Sequence, residues 1–216
     1  MIVLDIETIP TDDAEMISQI ASTITHPKNM SKADTIAKWE AEDKPGLIVD
    51  AVSKTAFDGT YGRICCIGWA IDDKPPVSLC GTAEANILAS FMTAVREATS
   101  LYSHTFVGHN IASFDLRFMW QRCIINRVKP STSIPFNAKP WDKAIGDTMI
   151  MWNPERERRI GLDRLCKVLG VKTPKHDLDG SKVNEAFQAG EYDRISAYCR
   201  DDVAATRECY MRMLGN

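Results

Sequence analysis

Four carboxylates, at three places in the chain, stand where their surroundings do not suit a charge: Asp5 and Glu7 in MIVLDIETIP, Asp115 in GHNIASFDLRF, and Asp202 in YCRDDVAATRECY. Asp5 and Glu7 interrupt an apolar run. Alternation along a strand puts Val3, Asp5 and Glu7 on one face and Ile2, Leu4 and Ile6 on the other. Two like charges side by side in a half-buried strand raise each other's pKa and weaken the fold unless a cation compensates. Hard oxygen donors so placed suit a divalent metal ion. Taken alone, the pair also fits a strand end with solvated acids.

The other two segments need helices to position their acids. Over Glu191–Leu214, residues Ile195, Cys199, Asp202, Thr206, Cys209 and Met213 recur at helical spacing and predict a core-facing stripe with Asp202 in its middle. Asp201 falls to the side of that stripe, and Tyr198 lies one turn before Asp202, within reach of the same carboxylate. An ordinary amphipathic helix with one acid in its apolar face has the same pattern. In the middle segment, Thr105–His109 reads as a strand and Phe114–Asn126 as a helix with Ser113 as its N-cap. Asp115 then sits in a first turn, where the helix dipole favours a negative charge. Asn110 reads equally as a loop residue that bonds its own backbone.

Together, DIET (5–8), NIASFD (110–115) and YCRDD (198–202) resemble the three exonuclease motifs of the DEDD (DnaQ-like) 3′–5′ exonuclease superfamily. Tyr198, four residues before Asp202, resembles the tyrosine subclass; the histidine subclass would need His where this chain has Ala197. FDGTYGRICCIGWA, LDRLCKVLG and DGSKV extend the likeness to stand-alone exonucleases related to the family B DNA polymerase proofreading domain, from Ile2 to about Met213. The resemblance implies an α/β, ribonuclease-H-like fold. It also implies two Mg²⁺ or Mn²⁺ ions, the first held by Asp5, Glu7 and Asp202 and the second by Asp5 and Asp115, on either side of the scissile phosphate. Tyr198 would orient the attacking water, since a phenol is mostly protonated at neutral pH. Thr8, Ile9, Asn110 and Phe114 would lie against the terminal nucleotide. The implied product is a nucleoside 5′-monophosphate cut from the 3′ end of single-stranded DNA or a frayed end.

Composition fits an enzyme domain. With 216 residues and 44% hydrophobic content, the chain can bury a sizeable core, and it reads as one domain over 1–216. No apolar run is long enough to span a membrane, and the first residues already read as a strand rather than a signal peptide. The seven cysteines form no CxxC pair, which points to a reducing, cytoplasmic setting rather than a disulfide framework; Cys65 and Cys66 read as packing residues. A net charge of −3 counts against long-range nucleic-acid attraction but not against gripping one strand end. The segment Pro154–His176 carries Arg156, Arg158, Arg159, Arg164, Lys167, Lys172 and Lys175, either as a solvated helix face or as lining for the strand entry.

Further strands are expected at Ile64–Ile71, Val77–Leu79 and near Ala144–Ile150, and helices at Ala83–Thr99, Leu162–Leu169 and Lys182–Ala189. This makes a mixed five-stranded sheet flanked by helices. Residues 11–62, with AEMISQIAS and ADTIAKWEAE punctuated by Pro27, Pro45 and Gly46, form a helical insertion between the first two strands. Asp147 in GDTMIMW reads as a structural acid, and His109 as packing. His176, Asp177 and Lys182 are weaker site candidates, and the five tryptophans could stack bases or fill the core. An RNA 3′–5′ exoribonuclease of the same fold is the alternative activity, because sugar selection rests on contacts at the 2′ position. A catalytically idle binding or scaffold protein is the alternative class, and proofreading would need a separate polymerase or repair partner.

Overall fold

The β-branched opening segment IVLDIETI forms strand β1 (Ile2–Ile9), and the sheet is built around it. The computed structural model describes residues 1–139, 141–155, 159–173 and 178–215. RICCIGWAI forms β2 (Arg63–Ile71), followed by β3 (Val77–Cys80), β4 (Phe106–Gly108) and β5 (Ile145–Asp147). The strands lie in one five-stranded sheet in the order β3-β2-β1-β4-β5. β4 pairs parallel with β1 (Val3 opposite Val107) and with β5 (Gly108 opposite Asp147), whereas β3 runs antiparallel to β2 (Cys66 opposite Cys80). The mixed sheet with flanking helices is the expected α/β fold.

The chain divides into two compact units, 1–8 with 64–216 and 9–63. In the larger unit, one face of the sheet packs on helices α4 (Glu84–Ala98) and α5 (Asp115–Ile125). Ile2, Leu4, Ile6, Phe91, Met92, Phe106, Leu116 and Met119 are among the residues of that core. Truncating one of these to Ala would cost about 2–5 kcal/mol. The core also contains a buried ion pair. Glu84 accepts from Arg122 Nε (2.9 Å) and Nη2 (2.8 Å), from Asn126 Nδ2 (2.9 Å) and from the Ile64 backbone N–H (2.7 Å), tying β2 to both helices.

The other face is covered by the long helix α9 (Tyr192–Met213), through Val3, Ala70, Val107 and Val203. Two glycines make the close crossing possible. A Cβ on Gly68 would stand 2.8 Å from Cys199 Sγ and 3.1 Å from Cys199 O, and one on Gly146 would stand 2.3 Å from the Tyr210 ring. Beyond α9 lie α6 (Thr148–Trp152), α7 (Leu162–Leu169) and α8 (Val183–Gln188). α7 packs on α9 through Leu165, Cys166, Ala205 and Cys209, with the two sulfurs 3.5 Å apart. Gly170 ends α7 in the left-handed conformation (φ 65°), which glycine adopts without steric cost.

The smaller unit holds α1 (Ala14–Thr23), α2 (Ala33–Glu42) and α3 (Lys44–Ser53), then a 3-10 turn at Lys54–Phe57. Asp13 caps α1 by accepting from the Glu15 and Met16 N–H groups. The Thr11 N–H donates to Thr55 Oγ1 (2.9 Å), and Arg63 pairs with Asp12, so the two ends of the unit are joined. Trp39 is buried edge-on to His26. The insertion is helical, as its sequence predicted, but Gly46 is no breaker: it lies inside α3, with Pro45 in that helix's first turn, where its missing N–H costs nothing.

Three local expectations need correction. Ser113 is exposed and is not the cap of α5; Phe114 holds that position and caps with no side-chain hydrogen bond. The fifth strand stops at Asp147, because that side chain accepts from the Met149 and Ile150 N–H groups and starts α6. The buried stripe of α9 runs Ile195, Cys199, Val203, Thr206, Cys209, so its centre is Val203, and Asp202 sits half-buried on its flank.

Candidate active site

β1 presents Asp5 and Glu7 on the face covered by α9, continuing the row begun by Val3. Asp115 reaches them from the first turn of α5. The residue is 3% exposed. Burial pushes its pKa up to about 7, against the downward pull of its own N–H and that of Ile6 on β1. The Ile6 N–H lies between Asp5 and Glu7, so this contact places Asp115 beside the pair.

The electrostatics show how the acids converge. Burial is the largest influence holding Asp5 well above the usual carboxylate range, and Cys199, Glu7, Asp115 and Asp202 all push the same way. Glu7 is likewise raised by burial, then by Asp202 and Asp115, while a hydrogen bond with Asp5 pulls it down. The two side chains therefore share a proton when no cation is bound. On α9, Tyr198 is hydrogen-bonded to Asp202 one turn on; burial and the charges of Asp202, Glu7 and Asp5 drive its phenol far above its ordinary pKa. Asp5, Glu7, Asp115, Tyr198 and Asp202 are thus brought together within the larger unit.

The remaining expected residues fall differently. Asn110 adopts a left-handed backbone (φ 65°) that asparagine tolerates better than most residues, and its N–H donates to Asp147 Oδ1 (3.0 Å). Its side-chain Oδ1 is buried without a hydrogen-bond partner, an acceptor left for a ligand or water. Phe114 is half-buried against Phe118, with ring centroids 5.5 Å apart. Thr8 is half-buried, and the Ile9 side chain is buried at the end of β1. Asp147 is fully buried and accepts from Asn110, Ala112, Met149 and Ile150 N–H groups, which makes it the anchor of the loop before α5.

His109 is held at both nitrogens, by Thr148 Oγ1 (2.9 Å) and the Ile160 carbonyl (2.8 Å), and burial lowers its pKa. It positions neighbouring loops. Trp39 and Trp69 belong to the core, while Trp120, Trp141 and Trp152 are exposed. Of the basic segment, Arg159, Arg164, Lys167 and Lys172 are exposed, and Lys167 pairs with Asp163; Arg156, Arg158, Lys175, His176 and Asp177 lie outside the described residues. Lys182 pairs with Asp179.

In the sequence, Cys199 reads only as part of the core-facing stripe. The structure puts its Sγ 3.6 Å from Asp5 Oδ2, and one donor atom each from Asp5, Glu7 and Cys199 lie within 4.8 Å of one another. Its place directly after Tyr198, three residues before Asp202, was the available signal.

The fold recurs within a solved DNA polymerase. Over 99% of its length the chain superimposes on the family B DNA polymerase from the hyperthermophilic archaeon Pyrobaculum calidifontis, with a TM-score of 0.61 and 15% identity, and spans 24% of that polymerase's chain. Residues 63–215 match the sequence profile of a family described as "Predicted 3'-5' exonuclease related to the exonuclease domain of PolB", and the chain belongs to this family. The match contains Asp115, Tyr198 and Asp202; Asp5 and Glu7 precede it. No curated protein matches the chain.

Proposed function

We propose that this protein is a metal-dependent 3′–5′ exonuclease that removes nucleoside 5′-monophosphates from the 3′ end of single-stranded DNA. The observation that carries the reading is the convergence of Asp5, Glu7 and Asp115 with the hydrogen-bonded Tyr198–Asp202 pair. The donor set fits divalent metal: the Asp5 and Glu7 carboxyls are hydrogen-bonded to one another, and burial first, then nearby charges including Asp115 and Asp202, raises the pKa of both. Asp5, Glu7 and Asp202 would hold one Mg²⁺ or Mn²⁺, and Asp5 with Asp115 a second. When bound, the ions supply Lewis acidity on both sides of the scissile phosphate.

The chain's own groups do the positioning. The Tyr198 phenol keeps its proton, so it orients the attacking water by hydrogen bonding and does not act as a base. Asp202 fixes the direction of that hydroxyl. Phe114 offers a ring for the terminal base, the orphaned Asn110 Oδ1 an acceptor for the terminal nucleotide, and the backbone of Thr8 and Ile9, just after Glu7 in β1, a surface for the same nucleotide. In this reading the 216 residues form one exonuclease domain with 11–62 inserted, working with a separate polymerase or repair partner. All seven cysteines are free, which suits a reducing, cytoplasmic setting.

The test is digestion of 5′-labelled single-stranded DNA, duplex DNA and RNA with Mg²⁺, with Mn²⁺ and with chelator. A one-nucleotide ladder on single-stranded DNA that chelator abolishes is expected. No hydrolysis of any substrate overturns the reading, and a ladder on RNA alone moves it to an exoribonuclease.

A further inference from the structure

Cys199 is a donor that the hydrolytic reading leaves unused. Its Sγ lies 3.6 Å from Asp5 Oδ2 and 3.6 Å from the Asp5 carbonyl oxygen, and the side chain is fully buried. The thiol is held there by the sheet: α9 passes so close to Gly68 that a Cβ on that glycine would meet the sulfur at 2.8 Å. Donor atoms of Asp5, Glu7 and Cys199, one from each, fall within 4.8 Å of one another, so side-chain shifts of about 1 Å bring them to the bond lengths of a three-donor metal site.

The chemistry of the donors decides which ion such a site takes. Carboxylate oxygens alone are hard ligands and suit Mg²⁺ and Mn²⁺, whereas a thiolate selects zinc and other thiophilic ions. We propose that Asp5, Glu7 and Cys199 form a mixed oxygen and sulfur site for a thiophilic divalent ion, Zn²⁺ foremost, which competes with the hard ion for Asp5 and Glu7. As the sulfur–metal bond forms, the thiol proton leaves to solvent, and no electron is transferred. This inference rests on the proposed active site in sharing Asp5 and Glu7.

Metal-free protein titrated with Co²⁺, a spectroscopic stand-in for Zn²⁺, reads the sulfur directly through the thiolate-to-cobalt charge-transfer band. Calorimetry with Zn²⁺ and Mn²⁺ runs alongside, and circular dichroism verifies the fold of each variant. The band is expected in the native protein and in Cys66→Ser, and absent in Cys199→Ser and Cys199→Ala. Loss of the sulfur is expected to weaken Zn²⁺ at least about tenfold while changing Mn²⁺ affinity less than about twofold. Cobalt bound without the band, a band that survives Cys199→Ser, or no binding of Co²⁺ and Zn²⁺ overturns the proposal. Mn²⁺-supported hydrolysis without a sulfur band leaves the nuclease standing and removes Cys199; a sulfur band without hydrolysis does the reverse.

Discussion

Glu7 and Glu84 are equally buried, each 7% exposed, in opposite surroundings. Glu84 stands among large apolar side chains and is fully answered: Arg122 grips both its oxygens, and Asn126 and the Ile64 N–H take further lone pairs. Glu7 stands on the other side of the sheet, where burial first and then the charges of Asp202 and Asp115 raise its pKa, and its hydrogen bond with the Asp5 carboxyl lowers it. A buried acid with its cation in place has much of its desolvation cost offset, and it is the removal of one partner that weakens the fold. One surrounded by other acids costs stability, and the cost is met when a ligand brings the missing positive charge. Burial alone therefore does not separate a structural carboxylate from a functional one; the sign of its neighbours does.

The largest expected effect lies on the uncompensated side. Asp5→Ala should lower nuclease rate on the order of 10³-fold or more, since Asp5 is the residue shared by both proposed ions. It should do so without loss of the folded far-ultraviolet spectrum. Single-turnover digestion of labelled single-stranded DNA measures it, and undiminished turnover would place the chemistry elsewhere.

Next comes a pair of substitutions that should move stability in opposite directions. Glu84→Ala leaves the Arg122 guanidinium buried without its partner and should cost about 3–5 kcal/mol of unfolding free energy. Glu7→Gln in metal-free protein removes one of several mutually repelling acids and should raise the denaturation midpoint near neutral pH. Urea titration of both variants sharpens the comparison; equal destabilisation would abolish it. Tyr198→Phe is smaller. It keeps the ring and removes the hydroxyl bonded to Asp202, so the rate should fall about 10²-fold while calorimetric Mn²⁺ affinity stays within a few-fold.

The uncompensated side was the more legible of the two in sequence. Acids in an apolar strand break the periodicity that the fold itself demands, so Asp5 and Glu7 stand out in the sequence, as do the strands and helices around them, whereas Asp202 lies on the flank of the α9 stripe and not in its middle, where its spacing put it. Asp147 was read as structural, and the four N–H groups it accepts give the reason. Glu84 and Arg122 were invisible: each sits in a helix where a charged residue at its spacing is commonplace, and their pairing spans 38 positions of sequence. The cap of α5 was misread for a related reason, since Ser113 has the side chain of a cap but the chain enters the helix at Phe114. Cys199 was hidden by its own character, because a buried cysteine reads as a small apolar residue until the sheet beneath it is known.

The comparison also fixes how stability should depend on pH. Asp115 titrates at 3.8 in an unstructured chain and at about 7 in the folded, metal-free site, and Asp5 and Glu7 are raised as well, in each case chiefly by burial. The folded state thus holds protons that the unfolded chain has released. For such groups the folded state is favoured most at pH below about 4, and that advantage is lost as pH climbs from about 4 through about 7. Metal-free protein should therefore show a falling denaturation midpoint across this window. Saturating Mn²⁺ binds the ionised carboxylates and should flatten or reverse the fall, adding about 2.7 kcal/mol at a hundredfold excess over its Kd. Asp115→Asn should shrink the slope without metal. Thermal melts at a series of pH values decide this: a midpoint that rises from pH 4 to 7 in metal-free protein would mean that the acids on β1 and α5 are already compensated.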